Sequence, residues 1–117
     1  MKYMLLIYAD PNADAPPAPA DGAYEDWVVA SNSLREDGVL LGGDGLQPVD
    51  SATTVRHRGG ERLLTDGPFA ETKEHLLGFY LVDVADIDAA LDYAGRMPNI
   101  TSASIEVRPV METAASA

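Results

Sequence analysis

The sequence predicts an α+β fold in which two helices cover one face of an antiparallel sheet. Segments with strand character alternate with helical patterns in the order strand, helix, strand, strand, helix, strand. Two glycines between strand-like runs add a hairpin in the middle of the chain. This is the β-α-β-β-α-β order of a ferredoxin-like fold with an inserted β-hairpin, and in that topology the first and third strands lie at the centre of the sheet.

A buried strand and an amphipathic helix open the chain. Residues 2–8 are rich in aromatic and branched residues and end in a turn signal, which predicts a strand and neither a signal peptide nor a membrane span. The proline-rich residues 10–22 predict a solvent loop. A helix then begins at Ala23, with Asp21 as its cap and Gly38 at its end. Its predicted apolar face consists of Tyr24, Trp27, Val28, Ser31 and Leu34.

The middle of the chain predicts a short strand and a tight hairpin. The strand at residues 39–41 is closed by the glycine cluster of residues 42–45, which lets the backbone bend sharply or approach another strand. Gly59 and Gly60 then form a two-residue turn between strand-like runs. These runs are residues 53–58 and 61–65.

A third strand, a second helix and a final strand complete the pattern. The strand is predicted at residues 76–84. Asp86 caps the helix, which ends near Met97 because Pro98 cannot continue it. The predicted apolar face of this helix consists of Ile87, Ala90, Leu91 and Ala94. The last strand alternates Ile105 and Val107 with Glu106 and Arg108.

Two of the predicted strands are too apolar for a sheet with one wetted face. Residues 2–8 and 76–84 carry apolar side chains at both alternating positions, whereas a half-exposed antiparallel strand alternates apolar and polar residues. Two helices cover only one face of the sheet. We therefore expect a second copy to bury the other face, in a homodimer of the dimeric α+β barrel type with sheet packed against sheet.

Composition bounds the possible functions. The 117 residues are expected to form one domain, residues 1–111, followed by a flexible tail, residues 112–117. Eight basic residues against 19 acidic ones give a net charge of −11, which opposes binding to nucleic acids and to anionic membranes. The absence of cysteine excludes thiolate chemistry and cysteine-based metal sites. We expect a cytoplasmic protein without a cofactor or a metal.

Residues 66–74 form the most distinctive motif, Asp-Gly-Pro-Phe followed by alternating charges. This stretch resembles the DGPF signature of the YCII-related family. Similarity extends to residues 2–8, Trp27 and residues 38–43, 78–80 and 105–110. The resemblance implies a ferredoxin-like dimeric protein of bacteria, often encoded beside extracytoplasmic-function sigma factors, and it brings no established reaction.

The resemblance also implies where catalysis is suspected in the wider YCII group. There an acid–base pair is formed by a histidine in the first helix and an aspartate after the second strand. The first helix of this chain carries Tyr24 and Trp27 but no histidine, so the pair is not carried over.

Asp66 and Asp44 are the candidate catalytic residues. A carboxylate at the mouth of an intersubunit cleft is partly desolvated, and desolvation suits it to general acid–base work. For Asp66 the favoured alternative is a structural turn in which its side chain bonds nearby backbone amides. Asp44 enters through fold analogy alone.

The candidate ligand-binding residues are Tyr24, Trp27, Phe69, Glu71, Lys73 and Arg108. Lys73 and Arg108 are cations that would hold a small anionic or hydroxylated ligand, with solvated ion pairs as the alternative. For Phe69 we favour a buried plug over a ligand platform, and for Tyr24 and Trp27 core packing over a cleft border.

Three functions follow from these observations. The first is binding of a small molecule in a cleft between the first helix, the Asp44 loop and residues 66–74. The second is a cofactor-free isomerase or lyase that uses Asp66 or Asp44 as its acid or base. The third is a non-catalytic accessory or sensing protein linked to a sigma factor through protein contacts.

Overall fold

Two antiparallel sheets and two helices make up the computed structural model, which describes residues 1–10, 23–98 and 103–112. The elements are β1 (Lys2–Ala9), α1 (Ala23–Glu36), β2 (Leu40–Gly45), β3 (Thr53–Arg58), β4 (Glu61–Asp66), β5 (His75–Asp83), α2 (Ile87–Gly95) and β6 (Ala103–Pro109), with a 3₁₀ turn at Val49–Ser51. The main sheet has the strand order β2-β5-β1-β6, and β3 and β4 form a separate hairpin. This arrangement is consistent with a ferredoxin-like α+β fold.

The first and third strands of the main sheet are central, as predicted. β1 pairs antiparallel with β5 on one side and with β6 on the other, so that Leu5 lies opposite Tyr80 and Val107. Alternate β1 residues are buried and half-buried along the whole strand. One face of the sheet is therefore more deeply covered than the other.

The core lies between the sheet and the two helices. Its buried residues are Tyr3, Leu5, Ile7, Leu34, Tyr80, Val82, Val84, Ala90, Ala94 and Met97. The helix α1 contributes Leu34, and Ser31 Oγ lies 2.7 Å from the Tyr80 hydroxyl. The helix α2 contributes Ala90 and Ala94, and its cap is confirmed, since the Asp86 carboxylate accepts a hydrogen bond from the Ala89 amide at 2.9 Å. No described helix is long and apolar enough to cross a membrane.

Three residues predicted on the buried helix faces are exposed instead. Val28, Ile87 and Leu91 are 40, 44 and 50% exposed. In α1 the buried stripe runs through Trp27 and Leu34, and Val28 is turned about 100° away from Trp27. In α2 the stripe is centred on the two alanines, which leaves the larger side chains at its margins. The predicted cap Asp21, most of the loop at 10–22 and the tail from residue 113 lie outside the described residues.

The strand β2 runs through the glycine cluster that was expected to close it. A side chain at Gly43 would collide with the Phe79 carbonyl oxygen and lie 2.9 Å from the Tyr80 Cα, and the φ of Gly43 is +148°. Gly78 on β5 is restricted in the same way, because a methyl group there would lie 2.8 Å from the Asp44 carbonyl oxygen. The close approach of β2 to β5 therefore needs glycine on both strands.

The predicted hairpin is confirmed, and its second strand ends one residue later than predicted, at Asp66. Arg58 lies opposite Glu61, and Val55 lies opposite Leu64. The turn residues Gly59 and Gly60 have φ values of +59° and +82°, as a two-residue turn of this twist requires.

Candidate functional site

The face of the main sheet that points away from the helices is apolar at its centre. Its half-buried apolar residues are Met4, Leu6, Tyr8, Leu76, Phe79 and Leu81. No described helix or strand covers this surface, which we call the open face. Because the central strands are apolar on both faces, the open face is a hydrophobic surface that no element in the described part of the chain covers.

Charged side chains flank the open face. One row across the sheet runs Asp44, Phe79, Leu6, Glu106, with a carboxylate on each edge strand. In a neighbouring row Arg108 lies opposite Met4. The open face is therefore an apolar strip with ionic edges, which is the usual anatomy of an interface between proteins.

An open cleft of about 620 Å³ lies where the end of β1, the strand β6 and the segment before β5 meet. Its lining residues are Tyr8, Thr72, Lys73, Glu74, Ser104, Ile105 and Glu106. Tyr8 and Glu106 belong to both the cleft and the open face. The cleft is thus continuous with the apolar surface.

The charged groups around the cleft are paired with one another. Lys73 Nζ lies 3.9 Å from an Asp10 carboxylate oxygen, and Ser104 Oγ donates a hydrogen bond to Glu74 Oε1 at 3.2 Å. Arg108 Nη2 lies 2.6 Å from Glu106 Oε2.

Glu106 Oε2 is unusual within the described part of the chain. The atom is buried and accepts no hydrogen bond of acceptable geometry, so its contact with Arg108 is an ion pair only. The Arg108 guanidinium balances the charge of this buried oxygen. Because 40% of the Glu106 side chain remains exposed, the carboxylate can still serve the cleft as a hydrogen-bond acceptor.

The predicted cleft between the first helix and the Asp44 loop does not form. Trp27 lies on the helix side of the sheet, with its ring centroid 6.3 Å from that of Tyr80. Asp44 pairs with Phe79 and so shares the open face on the other side of the sheet. The side chain of Tyr24 lies outside the described residues. Trp27 packs against the core, the alternative that the sequence favoured.

Asp66 is the last residue of β4, and its exposed carboxylate makes no hydrogen bond within the described residues. The prediction that this side chain bonds nearby backbone amides is therefore wrong. The turn is held by other groups: the Gly67 amide donates to the Ala52 carbonyl at 2.7 Å, and Thr54 Oγ1 donates to the Gly67 carbonyl at 2.9 Å. Asp66 does not line the cleft.

Phe69 is 78% exposed, so the prediction of a buried plug is wrong. Its carbonyl accepts a hydrogen bond from Arg56 Nη2 at 3.0 Å, which ties the backbone at Phe69 to the hairpin. Glu71 is exposed and does not line the cleft, whereas Lys73 does.

The family model of the YCII-related domain matches residues 1–114. The chain belongs to the YCII-related family. An uncharacterised protein of Rhizobium meliloti (strain 1021) is 40% identical to it over 114 residues, which cover 94% of this chain and 92% of that protein. The resemblance carried by the motif at residues 66–74 is thus confirmed.

In this YCII-related protein the cleft contains Thr72, Lys73 and Glu74 from the predicted segment 66–74. It also contains residues that the sequence did not indicate, namely Tyr8, Ser104, Ile105 and Glu106. Alternation in β6 places Glu106 on the polar side of the strand, which is typical of a solvated position. The signal that could have indicated Glu106 is the composition of β1, whose residues are apolar on both faces of the sheet. A polar residue that pairs with Leu6 therefore lies beside the apolar open face. In the described part of the chain no three His, Asp or Glu side chains are grouped as metal ligands.

A second, smaller cleft of about 370 Å³ lies between α1 and the C-terminal end of α2. Tyr93, which lines it, donates a hydrogen bond from its hydroxyl to Asp37 Oδ2 at 2.7 Å, and the Arg96 guanidinium lies 4.5 Å from the centre of the Tyr93 ring. The hydrogen bond to Asp37, with smaller contributions from burial and from the negative charge of Asp37, raises the pKa of Tyr93.

This bond predicts a pH-dependent effect of Tyr93→Phe. The raised pKa means that the folded protein holds the phenol proton more tightly than the unfolded chain, so the bond stabilises the fold below about pH 10 and is lost as the pH rises past the folded pKa. Wild type should melt above Tyr93→Phe at neutral pH, and the difference should shrink in alkaline buffer. An equal difference in melting temperature at both pH values would contradict this assignment.

Proposed function

We propose that this protein is a homodimer whose sheets pack face to face, and that it binds a small polar molecule at the rim of that interface. The observation that carries the proposal is the continuity of the cleft with the open face through Tyr8 and Glu106. A dimer that buries the open face would wall the cleft on the side where a single chain leaves it open.

The open face is the surface that a second copy would cover. Its six apolar residues lie on the two central strands of one sheet and are only half-buried in the single chain. Covering such a surface is favourable by roughly 25 cal/mol for each Å² of apolar area removed from water. A two-fold axis through the face brings the same residues of both copies together without requiring a different partner.

The charged groups in and near the cleft favour a neutral ligand. Lys73 and Arg108 each have a carboxylate partner, so neither cation is set aside for an anion. The partly exposed Glu106 carboxylate offers a hydrogen-bond acceptor, the ring of Tyr8 offers an apolar surface, and the Ser104 hydroxyl can donate or accept. A neutral hydroxylated molecule meets these requirements better than the anionic ligand that was the other expectation.

The ligand class is tested by NMR titration of the full chain with a panel of neutral polyols and monosaccharides, with succinate as an anionic probe. Amide shifts at Lys73, Ser104 and Glu106 should respond to members of the neutral panel and not to succinate. The variant Glu106→Gln should weaken that response about tenfold, since a charge-assisted hydrogen bond is lost.

Glu36→Gln is the matched control, because Glu36 is exposed at the end of α1, and this variant should bind as wild type does. Shifts that follow succinate alone, or that survive Glu106→Gln unchanged, would refute the assignment of a neutral ligand to this cleft.

A second candidate is acid–base catalysis without a cofactor, as an isomerase or lyase. It is favoured by the row in which Asp44 and Glu106 lie at opposite edges of the open face, because a dimer would desolvate both carboxylates. Asp44→Asn should then abolish turnover of a bound compound and leave the dimer intact, whereas unchanged turnover would remove Asp44 from the mechanism. The link to a sigma factor stays a prediction.

A further inference from the structure

The hairpin and the motif that follows it, residues 53–69, form an arm that stands apart from the rest of the described chain. Its strands β3 and β4 pair with each other and pack on no other helix or strand to a comparable extent. Its tethering hydrogen bonds, from Thr54 to Gly67 and from Arg56 to Phe69, are internal to the arm. An isolated two-stranded hairpin is at best marginally stable in water, so the arm needs a surface to lie on.

One side of the arm is apolar and exposed. Val55 and Leu64 lie directly opposite each other and are 56 and 60% exposed. Phe69, at the base of the arm, is 78% exposed although its backbone is fixed by Arg56. Aromatic and aliphatic side chains held in this way on a fixed backbone are typical anchors of protein interfaces.

The arm also differs in charge from the rest of the chain. It carries three arginines against two carboxylates, a net charge of +1, whereas the remaining residues carry five basic and 17 acidic side chains, a net charge of −12. Arg62 lies opposite His57, in register positions that share a face with Val55 and Leu64. Asp66, opposite Thr53, shares this face at its other end, so the apolar side of the arm has basic groups toward the turn and a carboxylate at its base. Its basic end suits an acidic surface.

We propose that the arm docks on a second copy of this chain. The edges of the open face, which lie at the rim of the sheet-to-sheet contact, supply the matching surface. They carry Asp44 on β2 and Glu106 on β6, on a body whose net charge is opposite to that of the arm. This inference rests on the proposed dimer and adds to it a second, reciprocal contact, since a two-fold axis makes each arm reach the other body.

The test measures the dimer dissociation constant of the full chain by sedimentation. Phe69→Ala and Leu64→Thr should each raise this constant about tenfold or more, the effect of removing an interface anchor. Leu64→Thr keeps a residue suited to a strand, and Phe69→Ala lies outside both strands, so neither should unfold the arm. Val29→Thr is the matched control, because Val29 is 67% exposed on α1, away from the arm, and should leave the constant unchanged.

Charge is tested with Arg62→Glu, which should weaken the dimer at low salt, and its difference from wild type should shrink as salt is added, because salt screens the repulsion that the new carboxylate introduces. The outcomes separate the two proposals. If Leu6→Lys on the open face gives a monomer while the three arm variants dimerise as wild type does, the arm is wrong and the sheet dimer stands. If wild type itself is a monomer, both fail; if only the arm variants lose the dimer, the arm holds and the sheet contact is wrong.

Discussion

Replacing Leu6 with lysine is expected to turn the dimer into a folded monomer. Leu6 lies on the central strand β1, between Phe79 and Glu106, at the middle of the open face. In a symmetric interface the substitution would bury two ammonium groups against apolar surface. The dissociation constant should rise about a hundredfold or more, since each unpaired buried charge costs several kcal/mol.

The fold should survive this change, because Leu6 is only half-buried in the single chain and a lysine stem can lie along the sheet with its charge in water. Circular dichroism should therefore match wild type. Val29→Lys, on the exposed side of α1, introduces the same charge away from the open face and should leave the dimer intact. Dimerisation of Leu6→Lys with wild-type affinity would remove the open face from the interface.

Leu5→Ala is expected to lower the free energy of unfolding by about 3 kcal/mol. Leu5 has no exposed surface and lies between the sheet and the helices, so its truncation leaves a cavity in the core. The loss should be measured by chemical denaturation and should not depend on protein concentration. Its neighbour Leu6 is the matched comparison.

Leu6→Ala should cost less in the monomer, and its effect should grow with protein concentration, because the contacts it removes belong to the dimer. Adjacent leucines on one strand thus report separately on the two faces of the sheet. Equal, concentration-independent losses for both variants would show that the two faces are buried within one chain.

The architecture was largely predictable, because it depends on patterns that local physics determines. The aromatic and branched residues of β1, the Asp86 cap and the paired glycines of the hairpin turn each specify their element through local interactions. The extent of β2 was not predictable in the same way. A strand through residues 42–45 depends on the fit of Gly43 against Tyr80, a contact between segments far apart in the sequence.

The candidate site was predicted less well, since it depends on which face of the sheet each residue occupies. Local patterns predict one cleft for Trp27 and Asp44, but α1 covers one face of the sheet and Asp44 lies on the other. Lys73, a predicted ligand-binding residue, lines the cleft, and its role there stays a prediction. Glu106 was missed because alternating polar and apolar residues in β6 are typical of a strand with a solvated side, and its pairing with Leu6 is not evident from the sequence.

Phe69 shows the same limitation in the family motif itself. An aromatic residue after a turn usually packs inward, yet Phe69 is exposed, and its backbone is tied to the hairpin by Arg56. The exposure of Phe69 in so distinctive a motif is explained if the ring packs against a second copy of the chain.

The most direct test of the account is the mass of the wild-type chain in solution at micromolar concentration, measured by light scattering. For the face-to-face dimer we expect a mass twice the 12.4 kDa of the single chain. A mass of 12.4 kDa, with the open face exposed to water and the protein still folded, would contradict it.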